Sequence, residues 1–257
     1  MAATEKPHCD WPPPPAELSL GSGEVHIWCL APHQFANNLN ELHPILSGEE
    51  KERASRFHFS RDRESYVVRH ALLRLILGRY LETDPSAIEF SRGSFGKPTL
   101  DFRGAVPLHF NDSHTNGLAL LAVTKDDPLG VDIEHLRPIP DFEEIAANYF
   151  SPREVEALRA IPADKRMEAF YACWTRKEAF LKATGEGIRE NLAKVEVALT
   201  PGEESRILYV SGKTQSRWKL HSFIPAPGYL GALTFQGNIP SFQHWSVPIS
   251  FLQSVSK

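Results

Sequence analysis

The sequence predicts a mixed α+β fold, because helix-like and strand-like stretches occur in both halves of the chain. Two long stretches, Tyr66 to Leu81 and Met167 to Gly187, repeat their apolar residues at the helical period. Shorter runs such as Val25 to Leu30, Gly117 to Thr124 and Leu129 to Glu134 have the length and β-branched content of strands. With 257 residues and 42% hydrophobic content, folding can remove roughly 70 to 75% of the unfolded surface from water. That supports one large domain or two small ones.

Taken in order, Met1 to Glu17 contains Pro12 to Pro15 in a row. Such a run excludes a helix or central strand, so residues 1–17 are expected to be a mobile tail. Val25 to Leu30 then reads as a first strand. Ser47 followed by Glu50 is a capping box that opens a helix. Between Lys51 and Arg79 stand eight basic residues: Lys51, Arg53, Arg56, Arg61, Arg63, Arg69, Arg74 and Arg79. They predict an amphipathic helix with a charged outer face, which is either solvated surface or a site for a polyanion such as phosphate.

Phe90 to Pro98 has two glycines and a proline and reads as a loop, a plain turn by default. Its glycines would also let backbone approach a phosphate, with Arg92 and Lys97 supplying charge, although it lacks the Walker spacing. Asn111, Asp112, Ser113 and His114 form a polar cluster expected at a strand end, either a capped turn or an anion-binding edge. Gly117 to Thr124 is a buried strand. In Leu129 to Glu134, alternation puts Val131 and Ile133 on one face and Asp132 and Glu134 on the other. That pair is either an exposed acidic face or a hard oxygen pair suited to Mg²⁺.

Phe142 to Phe150 and Ser151 to Ile161 read as two helices, the second opened by a Ser151 and Glu154 capping box. The central helix follows and closes near Gly185 and Gly187. Its apolar stripe is Met167, Phe170, Tyr171, Trp174 and Leu181, with Glu178 in the middle, so that carboxyl needs a cation, a metal or a proton. Lys182, one turn on, could form an ordinary i,i+4 pair with it. Four strands are expected at Ala193 to Leu199, Arg206 to Val210, Trp218 to Phe223 and Tyr229 to Phe235. Residues from Gly237 on read as a loosely packed tail, and no internal sequence repeat is visible.

A net charge of -4 from 28 basic and 32 acidic residues excludes a global field for nucleic acid or membrane. Cys9, Cys29 and Cys173 lack metal or disulfide-framework spacing, which fits a reducing cytosol. No 18-residue apolar run or leader-like N-terminus is present. A cytoplasmic protein is expected.

Two motifs then coincide: Leu129-Gly-Val-Asp-Ile-Glu134 and, some forty residues on, Trp174-Thr-Arg-Lys-Glu-Ala-Phe-Leu-Lys182. Together they resemble the 4′-phosphopantetheinyl transferase superfamily, and at this length its surfactin-type (Sfp-type) branch. The resemblance covers roughly Val25 to Phe235 and includes Glu50-Lys-Glu-Arg53 with Arg56-Phe57, Gly96-Lys-Pro98 and Phe110-Asn-Asp-Ser-His114. It implies a monomeric pseudodimer of two similar α+β subdomains, whereas the holo-acyl-carrier-protein synthases have half the chain and assemble as trimers. The subdomains are expected at 18–125 and at 126–236, the latter with the metal site, between tails at 1–17 and 237–257.

The activity implied is transfer of 4′-phosphopantetheine from coenzyme A to a serine of an apo acyl or peptidyl carrier protein, with Mg²⁺ or Mn²⁺, releasing adenosine 3′,5′-bisphosphate. Fatty-acid, polyketide, nonribosomal-peptide and lysine-biosynthesis carriers are all possible acceptors. By resemblance, Asp132, Glu134 and Glu178 are metal ligands, and Lys182 lies by the transferred phosphate. Arg53 contacts the coenzyme A 3′-phosphate, Arg92 and Lys97 surround the nucleotide, and Ser113 and His114 bind phosphates. Arg69 joins this coenzyme A set without a secure equivalent. Glu178 is the candidate base for the serine hydroxyl, with a metal-bound water as the alternative. A non-catalytic coenzyme A or carrier-binding module and a Mg²⁺ phosphohydrolase are the competing readings. Neither nucleic acid nor membrane is expected as a partner.

Overall fold

Strands Glu24–Leu30 (β1) and Leu118–Thr124 (β5) are apolar along almost their whole length, and every residue of β5 is buried. Both of their faces therefore need covering. The computed structural model, which describes residues 6–93, 96–101, 108–186, 192–212, 217–238 and 241–255, shows how this is done. Val25, Ile27, Cys29, Leu118, Leu120 and Ala122 meet Leu129, Val131, Ile133, Leu233 and Phe235 of a second sheet in a central apolar layer. On the far side, Trp28, Leu121 and Val123 pack on the helix Ser60–Leu81.

The first half consists of β1, the short helix Leu39–Leu42 (α1), Gly48–Ser55 (α2), Ser60–Leu81 (α3), a small hairpin of Phe90–Arg92 (β2) and Pro98–Leu100 (β3), then His109–Thr115 (β4) and β5. The second half repeats the plan. It contains Gly130–His135 (β6), Phe142–Tyr149 (α4), Pro152–Ala160 (α5), Ala163–Thr184 (α6), the hairpin Val195–Val197 (β7) and Ile207–Val210 (β8), then Trp218–Phe223 (β9) and Tyr229–Gln236 (β10). In each sheet the order is first strand, last strand, penultimate strand, all antiparallel: β1-β5-β4 and β6-β10-β9. The halves are thus two similar α+β units.

The repetition extends to single side chains. Ser47 and Ser151 open α2 and α5 with complete capping boxes. The capping-box carboxylates Glu50 and Glu154 pair with Arg74 of α3 at 2.7 Å and Lys177 of α6 at 2.5 Å. Each cation also donates to two carbonyls beyond its helix, Pro85 and Ile88 in one half, Leu192 and Val195 in the other. Both 22-residue helices end on a left-handed residue, Glu82 and Gly185.

Several expectations are corrected. The C-terminal stretch is no loose tail: Ser241–Ser246 (β11) pairs parallel with β1, and Trp245, Val247 and Phe251 are buried in the first core. Polar β11 residues are tolerated because it is an edge strand. Residues 6–17 carry no helix or strand, as the prolines require, yet they are docked: Ser246 donates to the Trp11 and Pro12 carbonyls. Helix α3 lacks a charged outer face along its second half, since Ala71 to Gly78 are all buried. Where a loop is expected, Phe90–Arg92 pairs antiparallel with Pro98–Leu100. Asn111 to His114 lie inside β4 rather than at a strand end. Gly187 of the predicted helix end lies outside the described residues. Among the described residues, no helix is long and apolar enough to cross a membrane.

Candidate active site

The two halves meet where β4 runs beside β6, joined by side chains rather than by a backbone ladder. Period-2 alternation turns Asn111, Ser113 and Thr115 the same way. Asn111 Oδ1 accepts from the Val131 amide at 2.8 Å, Ser113 Oγ donates to Asp132 Oδ1 at 2.8 Å, and Thr115 Oγ1 reaches Glu134 Oε2 at 3.4 Å. Thr115 was not among the expected site residues. The alternation along β4 is the signal that could have found it.

Helix α6 closes this seam from the other side. Gly130 makes that possible: a Cβ there would stand 2.1 Å from the Ala179 carbonyl oxygen and 2.3 Å from the Ala183 nitrogen. The glycine in the Leu129 to Glu134 motif therefore lets helix and strand approach to backbone contact. One consequence is the placement of Lys182. Its Nζ donates to Asp132 Oδ1 at 2.8 Å, to Ser113 Oγ at 2.8 Å and to the Val131 carbonyl at 3.3 Å. The i,i+4 partner Glu178 is passed over for a cross-element carboxylate. Burial is the largest influence and opposes the ammonium charge, but the carboxylates of Asp132, Glu178 and Asp112 together outweigh it and raise the Lys182 pKa.

Glu178 shares its helix with the apolar stripe but is only half-buried. Phe170, Tyr171 and Leu181 are buried in the second core with Met167 and Trp174 at its margin, while Glu178 is half-buried within reach of the Asp132, Lys182 and Glu134 charges. Burial first, and then the Asp132 carboxylate, push Glu178 and Glu134 each up to about 7. Asp132 is 4% exposed, and its Oδ2 is buried with no hydrogen-bond partner among the described residues. Among the described residues, no group of three or more His, Cys, Asp or Glu side chains is arranged as a ready metal site.

A second, cationic group adjoins this one. Arg69 lies within charge range of Asp112, Tyr66 and Arg53, and its buried Nε has no partner among the described residues. Exposed His114 is within reach of Arg69, Asp112 and Lys182. The Arg53 guanidinium stands 5.6 Å from the centre of the Tyr66 ring, which stacks on His70 at 3.8 Å. Lys97 comes from the other side, where Nζ donates to the Leu129 and Lys182 carbonyls at 3.0 and 2.6 Å. Desolvation, then the Lys182 charge, lowers it to about 8. Lys97 thus ties the β2–β3 hairpin to both motif elements. Arg92 is exposed and paired with Glu49 at 3.5 Å, within charge range of Tyr66.

The family model described as 4′-phosphopantetheinyl transferase superfamily matches residues 128–234, and that described as 4′-phosphopantetheinyl transferase, N-terminal, matches residues 28–126. The 4′-phosphopantetheinyl transferase HetI of Nostoc sp. is 40% identical over 238 residues, 91% of this chain and 98% of that protein. Sfp of Bacillus subtilis is 34% identical over 60% of this chain and 67% of its own. A holo-(acyl-carrier-protein) synthase structure from Bacillus anthracis, in complex with CoA (3′,5′-ADP), is 20% identical and covers 42% of this chain and 92% of its own with a TM-score of 0.34. The near full-length match to the Nostoc protein and the two adjoining family matches have one meaning: this chain belongs to the 4′-phosphopantetheinyl transferase superfamily and is an enzyme of that class.

Proposed function

We propose that the enzyme moves 4′-phosphopantetheine from coenzyme A to a serine hydroxyl of an apo acyl or peptidyl carrier protein, releasing adenosine 3′,5′-bisphosphate with the help of Mg²⁺ or Mn²⁺. It acts as a monomer, because one chain supplies both sides of the seam. The observation that carries this reading is the junction of Ser113, Asp132 and Lys182 across the two halves, with Glu134 and Glu178 crowded beside it.

The acidic residues fit a divalent cation. Asp132 Oδ2 is a buried acceptor with no partner among the described residues, and the burial and Asp132 repulsion that raise Glu134 and Glu178 are what a hard cation would offset. Asp132, Glu134 and Glu178 would hold it, and its chemistry there would be neutralisation of diphosphate oxygens. Substitution at phosphorus depends chiefly on positioning and charge neutralisation. Lys182, fixed by Asp132 and Ser113, lends its ammonium to a phosphate oxygen, and His114 and Arg69 serve the remaining anionic groups. Lys97 spends two of its three donors on carbonyls and keeps one for the nucleotide. Glu178 takes the proton of the incoming serine hydroxyl, directly or through a water.

The test is intact-protein mass spectrometry of an apo carrier protein incubated with the enzyme, coenzyme A and Mg²⁺, with an EDTA control. A metal-dependent gain of one phosphopantetheine arm is expected. No gain on acyl and peptidyl carriers alike would refute the reading. Replacing Arg53 by Ala is expected to raise KM for coenzyme A roughly 10- to 100-fold, the worth of a charged hydrogen bond, and to leave 3′-dephospho-coenzyme A little affected. Equal losses on both would remove Arg53 from the 3′-phosphate site.

The raised carboxyls also make a stability prediction. A carboxyl held near 7 in the folded chain favours folding while protonated, so its contribution is complete below the ordinary value of 4.5 and is lost as pH rises through about 7. The metal-free thermal midpoint is therefore expected to fall, relative to the Glu134→Gln/Glu178→Gln variant, by on the order of 5 °C between about pH 5 and pH 8. Mg²⁺ should restore more at the higher pH. A difference between the two proteins that does not change with pH would contradict the assignment.

A further inference from the structure

The scattered cysteine spacing argues against a disulfide framework, yet folding brings two thiols twenty residues apart in sequence to the same apolar layer. Cys29, in the middle layer, is buried on β1 opposite Ser246 of β11. Half-buried Cys9 packs against the same apolar layer, close enough to Cys29 for each thiol to shift the other's titration. The segment carrying Cys9 is held there independently. Ser246 Oγ donates to the Trp11 carbonyl at 2.6 Å and Ser246 N to the Pro12 carbonyl at 3.0 Å. The Trp11 ring stands 4.7 Å from His244 of β11 and 5.8 Å from Phe223 of β9, centre to centre. Pro7 lies so close to Gly117 that a Cβ there would come within 2.7 Å of it. Residues 7–12 therefore form a strap that touches β9 of the second half and β11 of the first.

We propose that Cys9 and Cys29 are a redox site, where a small disulfide oxidant converts the pair into an intramolecular disulfide that staples this strap to β1. Cys9 is the entry point because it is the half-exposed member, and its thiol pKa is lowered chiefly by the neighbouring Cys29 thiol. Its thiolate attacks one sulfur of the oxidant and expels one small thiolate, leaving a mixed disulfide on Cys9. Cys29 then attacks the Cys9 sulfur and gives up its proton to the second small thiolate as that leaves. The balance is two protein thiols and one small disulfide converted to one protein disulfide and two small thiols. Cys173 is an internal control, buried in the other core with its Sγ on Glu154 Oε1 at 3.6 Å.

The experiment exposes the reduced full chain to glutathione disulfide, then alkylates under denaturing conditions and maps the peptides. The expected product has lost two hydrogens, retains no glutathione, and yields one peptide linking Cys9 to Cys29 with Cys173 alkylated. Protease cleavage within residues 6–17 is expected to slow by about tenfold and to recover on addition of dithiothreitol. The Cys29→Ser variant should instead retain one glutathione on Cys9. Wild-type mapping alone decides the matter if that variant folds poorly. A stable glutathione adduct on the wild-type chain, a link to Cys173 or between chains, or no reaction at all would each overturn the proposal.

Discussion

Replacing Asp132 by Asn is expected to lower the rate of carrier modification by roughly 10²- to 10³-fold, and replacing it by Ala to leave no detectable turnover. Asp132 Oδ1 is the common acceptor for Ser113 Oγ and Lys182 Nζ, so its charge holds Lys182 at the seam. Asn retains the shape and one acceptor but removes the charge, which separates electrostatics from packing. A second readout distinguishes this from general damage. After burial, the Asp132 carboxylate does most to raise the pKa of both Glu134 and Glu178. Its removal should move the acidic limb of the residual pH–rate profile to lower pH. Circular dichroism must show a folded variant for the comparison to hold. Full activity in a folded Asp132→Asn enzyme would remove the residue from the mechanism.

The chemistry of this site was legible where it lay in local spacing. Asp132 and Glu134 declare a shared face through strand alternation, and Ser47 and Ser151 declare helix starts through capping boxes that the structure contains in full. What the sequence concealed was long-range. The internal repeat is carried by topology and by a few residues whose identities differ, Arg74 against Lys177 and a left-handed Glu82 against Gly185. Strand β11 was hidden because Ser241–Ser246 has the weak alternation of an edge strand between prolines. Its place beside β1 depends on residues more than two hundred positions away. Arg69, the least securely aligned residue of the expected site, is half-buried within charge range of Arg53, Asp112 and His114, its buried Nε without a partner among the described residues. Helical spacing puts Arg69 on α3, but only packing shows that its head lies within charge range of Asp112 and Arg53.

Replacing Lys177 by Met is expected to cost about 3 to 5 kcal/mol of stability, the toll of removing one partner from a buried ion pair. Lys177 is 0% exposed and pairs with Glu154, itself 2% exposed. Its ammonium also satisfies the Leu192 and Val195 carbonyls and lies 5.3 Å from the centre of the Phe150 ring. Met fills a similar volume, so little of the loss can be assigned to a cavity; it falls on two orphaned carbonyls and a carboxylate without its cation. Glu154 keeps donors from the Ser151 and Val197 amides, so Glu154→Gln should be milder than Lys177→Met. The double variant should lose less than the sum of the singles, because the second change removes the charge that the first left unpaired. Urea denaturation of the four proteins measures this coupling. Additive losses would show that Lys177 acts through the carbonyls alone. Although Lys177 precedes Glu178 in the sequence, its contacts run into the second core and away from the seam. Turnover per folded molecule is therefore expected to stay within a few-fold of wild type, in contrast to the Asp132 variants.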